Sequence, residues 1–188
     1  MSAQPDWMPG RGLALTYVLG QQALWILVVW GAAAGHHYWP SAVAAAAIAF
    51  ACWRSGTAWW RVLAVVIVGV VCGAAVDGSL GKTGLVIYAA SDPTLPVPPV
   101  WILALWACFA ATLALPARSM ISSPVIAALL GGLGGPLAYA GGRAMGALDA
   151  QTFGLVMVGV FYALATPVIV LASNRLLPLP TVQRSRRP

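Results

Sequence analysis

An all-α membrane fold, a bundle of six transmembrane helices with both termini in the cytoplasm, is predicted by three observations. The chain is 61% hydrophobic and only 7% charged, against roughly 25% charged in a soluble domain. Its apolar residues fall into six runs separated by short polar or proline-bearing turns. Its basic residues are also unevenly placed. With the termini inside, the inner segments carry Arg11, Arg54, Arg61, Arg118, Arg175, Arg184, Arg186 and Arg187, and the outer ones only Lys82 and Arg143. That is the asymmetry of the positive-inside rule.

The 188 residues leave room for roughly five to seven spans of about 20 residues each. One membrane domain is therefore expected over 12–175, after a cytoplasmic lead (1–11) and before a basic, disordered cytoplasmic tail (176–188). The net charge of +6 does not point to nucleic acid, because the basic residues sit at the ends of apolar runs rather than in a patch. Arg184, Arg186 and Arg187 suit anionic lipid headgroups.

The first run, Gly12 to Gly35, ends in Ala32-Ala33-Ala34, which resembles a signal-peptidase site. It is longer than a signal peptide and contains Gln21 and Gln22, so an uncleaved first helix is expected. His36 to Pro40 reads as an interfacial turn. The second run, Ser41 to Trp53, is short for a bilayer and must draw on its flanks. Arg54 to Arg61 reads as a loop with interfacial tryptophans. The third run, Val62 to Leu80, places Gly69, Gly73, Asp77 and Gly81 on one helix face. Lys82 to Pro99, rich in proline, reads as loop or re-entrant structure. The fourth run is Val100 to Leu115, followed by a turn over Pro116 to Ser119. The fifth, Ile121 to Arg143, holds Pro136, and the sixth, Thr152 to Ser173, holds Pro167.

The stretch from Ala127 to Gly146 contains glycines at 131, 132, 134, 135, 141, 142 and 146. Each interior glycine costs a helix in water about 1 kcal/mol. In lipid, small residues four apart let helices approach closely. Gly131 and Gly135 form one ridge, and Gly134, Ala138, Gly142 and Gly146 another. Two ridges predict a helix surrounded by others, at the bundle centre.

Ionisable residues that do not mark topology fall in the outer half: His36 and His37, Asp77, Arg143, and Asp149 in the last outer loop, with Tyr139 beside them. Asp77 lies on the small-residue face of its helix, so it faces protein, and an ionisable residue at that depth usually has a partner. One reading is a polar pocket opening outward, with Asp77 as acid/base or ligand anchor and Arg143 as counter-ion. The other is a structural pair, Asp77 with Arg143 or with Lys82. Gln21, Gln22, Trp25, Trp106 and Thr112 are candidates for a deeper lining. Buried glutamines also simply bond neighbouring helices, and such aromatics are also core. His36 and His37 do not share a helix face, and no third histidine exists. No metal site is therefore expected, and no cofactor. Cys52, Cys72 and Cys108 are isolated in apolar runs and read as packing. No hydrolase, zinc-protease or phosphate-loop motif is present, which leaves any enzyme activity without a recognisable motif.

Pro98 to Leu113 (PPVWILALWACFAATL) and Leu129 to Leu148 (LLGGLGGPLAYAGGRAMGAL) together resemble a bacterial inner-membrane family known as domain of unknown function 2878. Gln22 with Trp25 in the first helix and Asp77 in the third fit the same pattern. The resemblance covers residues 12–175 and is most specific in GGPLAY, Gly134 to Tyr139. It departs after Thr112-Leu113, where Ala-Leu-Pro-Ala replaces a polar Asn-His-Ser stretch, so a reaction using that histidine would be lost here. The resemblance implies a multi-pass protein of the bacterial inner membrane. Through the fatty-acid-modifying enzymes encoded beside family members, it also implies a lipid-related role.

The expected function is binding of an amphipathic small molecule or lipid headgroup in the outward polar pocket, in support of membrane-lipid modification. Its polar end would be Asp77, Tyr139 and Arg143, with Gln21, Gln22, Trp25, Trp106 and Thr112 deeper. The rivals are a substrate-binding subunit of a small-molecule transporter and a structural or assembly partner without ligand. Expected partners are membrane lipid and a membrane protein or second copy.

Overall fold

The computed structural model describes residues 11–36, 38–54, 59–91, 97–115 and 121–177. The expectations for the lead up to residue 10, for His37, for 55–58 of the 54–61 loop, for Asp92, Pro93 and Pro96, for the 116–119 turn and for the basic tail lie outside them. The elements in order are α1 (Arg11–Ala33), α2 (Tyr38–Arg54), α3 (Trp59–Lys82), β1 (Val86–Tyr88), α4 (Val100–Ala114), α5 (Pro124–Ala144), β2 (Leu148–Ala150) and α6 (Thr152–Leu176). The described fold is thus helical, with one short sheet. Three helices, α3, α5 and α6, are long and apolar enough to cross a membrane. The apolar stretches Val18–Ala33, Tyr38–Trp53 and Val100–Ala114 are shorter.

Two local expectations are corrected. Tyr38 and Trp39 belong to α2 rather than to a turn before it, and Pro40 lies in its first turn as its missing backbone donor leads one to expect. The segment after α3 is not wholly loop. Val86, Ile87 and Tyr88 pair antiparallel with Ala150, Asp149 and Leu148, so Asp149 sits mid-strand.

The helices that lead to the strands end alike. Leu85 N–H donates to Leu80 O at 3.0 Å and Gly84 N–H to Gly81 O at 3.0 Å; Ala147 N–H donates to Gly142 O and Gly146 N–H to Arg143 O, both at 3.0 Å. Gly84 and Gly146 have φ of +69° and +80°, where a Cβ would clash. Both segments therefore leave their helix through the same hydrogen-bond pattern, and they pair as β1 and β2. Helix α1 ends on the same motif at Gly35.

Counting back from these glycines exposes a repeat. Fifteen residues earlier stand Gly69 and Gly131, eleven earlier Gly73 and Gly135, and seven earlier Asp77 and Tyr139. The contacts repeat as well. A Cβ on Gly69 would run into Ala110 and the Trp106 carbonyl, and one on Gly131 into Thr166 and the Tyr162 carbonyl. A Cβ on Gly73 would enter the Trp106 indole; one on Gly135 would lie 2.8 Å from the Tyr162 ring. The hairpins α3–α4 and α5–α6 are thus built on one interface, in which glycine admits an aromatic ring and the next helix comes to backbone distance.

The glycine-rich helix α5 is not at the bundle centre. It packs chiefly on α6, while Leu129, Leu130, Leu133 and Leu137 face outward. Its Gly131–Gly135–Tyr139 side makes the close approach to α6, where a Cβ on either glycine would meet Thr166 or Tyr162. The central helix is α4, which packs against α1, α2, α3 and α6. Gly135→Leu should force α5 from α6 and cost about 1–3 kcal/mol or more. Gly134→Leu should be neutral or slightly stabilising, since a Cβ there meets nothing within 4 Å and leucine is the better helix former. Thermal unfolding in detergent checks both. Equal effects would sink the packing account.

Candidate functional site

The repeat places Asp77 where its counterpart hairpin has Tyr139, and the structure brings the two together. Asp77 is fully buried, at 0% exposure. An ionisable group in such surroundings is costly unless hydrogen-bonded. Three donors reach it from three elements. The Tyr88 hydroxyl on β1 donates to Oδ1 at 2.7 Å, the Tyr139 hydroxyl on α5 donates to the same oxygen, and Trp106 Nε1–H on α4 donates to Oδ2 at 2.5 Å.

The sheet delivers Tyr88. Strand alternation buries Val86 and Tyr88 and leaves Ile87 out. Trp101 Nε1–H then donates to Ala89 O at 3.0 Å and fixes the following turn. The Tyr88 ring meets Trp101 and Tyr139 edge-on, with centroids 6.2 and 6.4 Å apart. Tyr162 closes the other side, 4.6 Å from Trp106 and 5.8 Å from Tyr139. Burial first, and the neighbouring Asp77 charge second, hold the Tyr88 hydroxyl far above the ordinary tyrosine range, so it remains a donor. The indole N–H can only donate, whereas the hydroxyls can also accept. The cluster can hold a carboxylate as triple acceptor, its charge spread over charge-assisted bonds.

The sequence-predicted residues divide accordingly. Asp77, Tyr139 and Trp106 are together. Arg143 is not with them. It is 53% exposed and pairs at 3.4 Å with Asp149, itself 72% exposed, because β2 brings Asp149 back beside the end of α5. Among the described residues Asp77 has no ion pair with Arg143 or Lys82. The Asp77 carboxylate oxygens are taken by buried aromatic donors rather than by the expected counter-ion Arg143.

Open volume lies at the opposite end of the bundle. A cavity of about 660 Å³ is bounded by Thr16, Gly20, Gln21, Leu24 and Leu27 of α1, by Ala47 and Phe50 among others of α2, and by Cys108, Ala111 and Thr112 of α4. Gln21 and Thr112 thus line a different site from Asp77. The Thr112 hydroxyl donates to Cys108 O at 2.8 Å. Gln22 is exposed, and Trp25 lies against Gly141 of α5.

The family model for a protein of unknown function, DUF2878, matches residues 14–168. The chain belongs to the DUF2878 family. No curated protein and no solved structure matches it. In this DUF2878 chain the segment GGPLAY supplies Gly135, which admits Tyr162, and Tyr139, which binds Asp77.

Sequence reasoning missed Tyr88, Tyr162, Trp101 and the α2 wall of the cavity. Tyr88 had a partial signal, since Gly84 can end a helix and Val86-Ile87-Tyr88 after it are all strand-favouring residues. Tyr162 had none within its own helix. Asp77→Leu should be the most damaging change, because it leaves three buried donors unpaired at about 1–3 kcal/mol each. Tyr139→Phe removes one bond and should cost about 1.5–3 kcal/mol. Arg143→Ala should stay within about 0.5 kcal/mol, as an exposed pair does. Thermal unfolding followed by tryptophan fluorescence ranks them; an Arg143→Ala loss equal to that of Asp77→Leu would overturn the assignment.

Proposed function

We propose that this DUF2878 protein is a six-span protein of the bacterial inner membrane, with both termini cytoplasmic, which binds an amphipathic, lipid-like molecule between α1, α2 and α4. The orientation rests on the basic residues, which concentrate on the segments assigned to the inside. Exposed Trp53, Trp59 and Trp60 at the α2–α3 end, with Arg61 4.9 Å over the Trp60 ring, have the character of a membrane-interface belt. Helix α1, with 23 residues, reaches about 34 Å. Helices α2 and α4, with 17 and 15, reach about 25 and 22 Å and need a locally thinner bilayer.

The binding reading is carried by the cavity. Its volume of about 660 Å³ falls in the range of small-molecule sites, and its lining is apolar apart from Thr16, Gln21 and Thr112. Binding is placed here rather than at Asp77 because the oxygens of Asp77 are already occupied.

Two measurements test this. Reporter fusions at each terminus should both read cytoplasmic; opposite readings would remove the six-span topology. Native mass spectrometry of the detergent-purified protein should show a retained amphiphile, reduced roughly tenfold in Gly20→Leu, whose side chain projects into the cavity without clash. Equal retention by a folded Gly20→Leu protein would defeat the reading.

A further inference from the structure

We infer that the groove between α1, α2 and α4 takes an uncharged lipid with a hydroxyl group partway along its chain, held between the Gln21 amide and the Thr112 side chain. This rests on the groove being the amphiphile site proposed above.

The hairpin repeat has no counterpart for Gln21. Helix α1 ends on Gly35 as α3 leads to Gly84 and α5 to Gly146. Fifteen residues before Gly35 stands Gly20, matching Gly69 and Gly131, and eleven before it stands Leu24, where the others have Gly73 and Gly135. Seven before it, where the others carry Asp77 and Tyr139, α1 has Val28. The polar residue of α1 comes fourteen before, where the others have Val70 and Gly132. A Cβ on Gly69 or Gly131 would collide with the neighbouring helix, whereas one on Gly20 meets nothing within 4 Å. Gln21 thus stands on the wall of a gap. It is part-buried, and among the described residues its amide has no hydrogen-bond partner.

Thr112 faces the same groove at matched depth. A Cβ on Gly142 would meet both Val29 of α1 and Leu148 of β2, and Trp101 of α4 donates to Ala89 beside β1. The end of α1 and the start of α4 therefore share the sheet side of the bundle. Counted from Ala33 and from Val100, Gln21 and Thr112 each lie twelve residues in, about 18 Å. In a hydrocarbon core of about 30 Å that depth is among lipid chains. They offer no hydrogen bond, so an unpaired amide there is costly.

Donors and acceptors then select the occupant. Thr112 Oγ1 gives its proton to Cys108 O at 2.8 Å and can only accept a further bond. The Gln21 amide offers two N–H donors and a carbonyl. A ligand hydroxyl donates to Thr112 and accepts from Gln21, satisfying both. A ketone accepts from Gln21 alone, and an alkane satisfies neither. The other polar groups of the wall are engaged already, since Thr16 has a partner of its own and Cys108 Sγ lies 3.9 Å from Ala44 O. Among the described residues the lining has no carboxylate, ammonium, guanidinium or imidazole, so a charged head would be left unpaired. From Gln21 the α1 wall continues about 9 Å to Leu27 and about 8 Å to Thr16. A hydroxyl at a chain end would fill one arm only.

The test is scintillation-proximity binding to the full-length protein in detergent. The probe is a tritiated fifteen-carbon alcohol with its hydroxyl on the central carbon, and the ketone and alkane of the same skeleton are unlabelled competitors. Unlabelled alcohol should compete about tenfold better than the ketone, and the ketone better than the alkane. Gln21→Leu should bring the alcohol down to the level of the alkane. Thr112→Val, which decides should the first variant fail to fold, should erase the advantage of the alcohol over the ketone and leave the ketone unchanged. Gly20→Leu should weaken every probe. Equal competition by all three, or a ketone as strong as the alcohol, still lost in folded Gly20→Leu, overturns the hydroxyl assignment and leaves an amphiphile site in place. A ranking that survives both Gln21→Leu and Thr112→Val overturns the assigned contacts. Alcohol binding unchanged in folded Gly20→Leu overturns the amphiphile site itself, and this inference with it.

Discussion

Burying a carboxylate among apolar helices is the constraint on which the sheet end of this bundle depends. Asp77 brings α3, α4, α5 and β1 to one point, since its three donors come from Trp106, Tyr139 and Tyr88. None of them is a cation. A lysine or arginine at that depth would itself need solvation, whereas tyrosine and tryptophan offer a polar tip on an apolar body. Aromatic donors therefore satisfy the carboxylate and fill the core with the same atoms. The two-stranded sheet, too short to be stable alone, is held because Tyr88 is anchored at both its hydroxyl and its ring.

The repeated hairpin explains why the donors arrive on target. In α3–α4 and α5–α6 a glycine sits against the ring of the following helix, so Trp106 and Tyr162 are drawn inward at matched heights and meet at 4.6 Å. The position seven residues before each terminal glycine then faces the same space, filled by Asp77 from one hairpin and Tyr139 from the other. One hairpin supplies the acceptor and the other a donor, so the bond between them ties the two repeats together.

Much of this was legible in the chain, and what was not has physical reasons. Helix order and the buried face of Gly69, Gly73 and Asp77 follow from small-residue spacing within a single helix. The choice of Arg143 as partner for Asp77 failed because proximity along a helix end says nothing about β2, whose pairing returns Asp149 to Arg143. The strands themselves are three residues each, too brief for a periodic signal. Placing α5 at the centre failed because a glycine run shows where a helix can be approached. It does not show how many neighbours approach, and the outward leucines at 129, 130, 133 and 137 already marked the other side. Of the cavity, Gln21 and Thr112 were legible as polar residues within apolar helices, whereas its α2 wall is wholly apolar and carries no such signal.

The same packing rule thus produces a closed end and an open one. Where glycine recurs eleven residues before the terminal glycine, as in α3 and α5, the hairpin closes. In the first hairpin Leu24 stands at that position, and a cavity remains between α1, α2 and α4. Away from Gln21 and the threonines, a groove with so apolar a lining suits an apolar filling, which need not be held there by specific hydrogen bonds. The hydrogen bonds at Asp77 tie α3, α4 and α5 together at one end, while α1 and α2 pack on α4 with a groove left between them at the other.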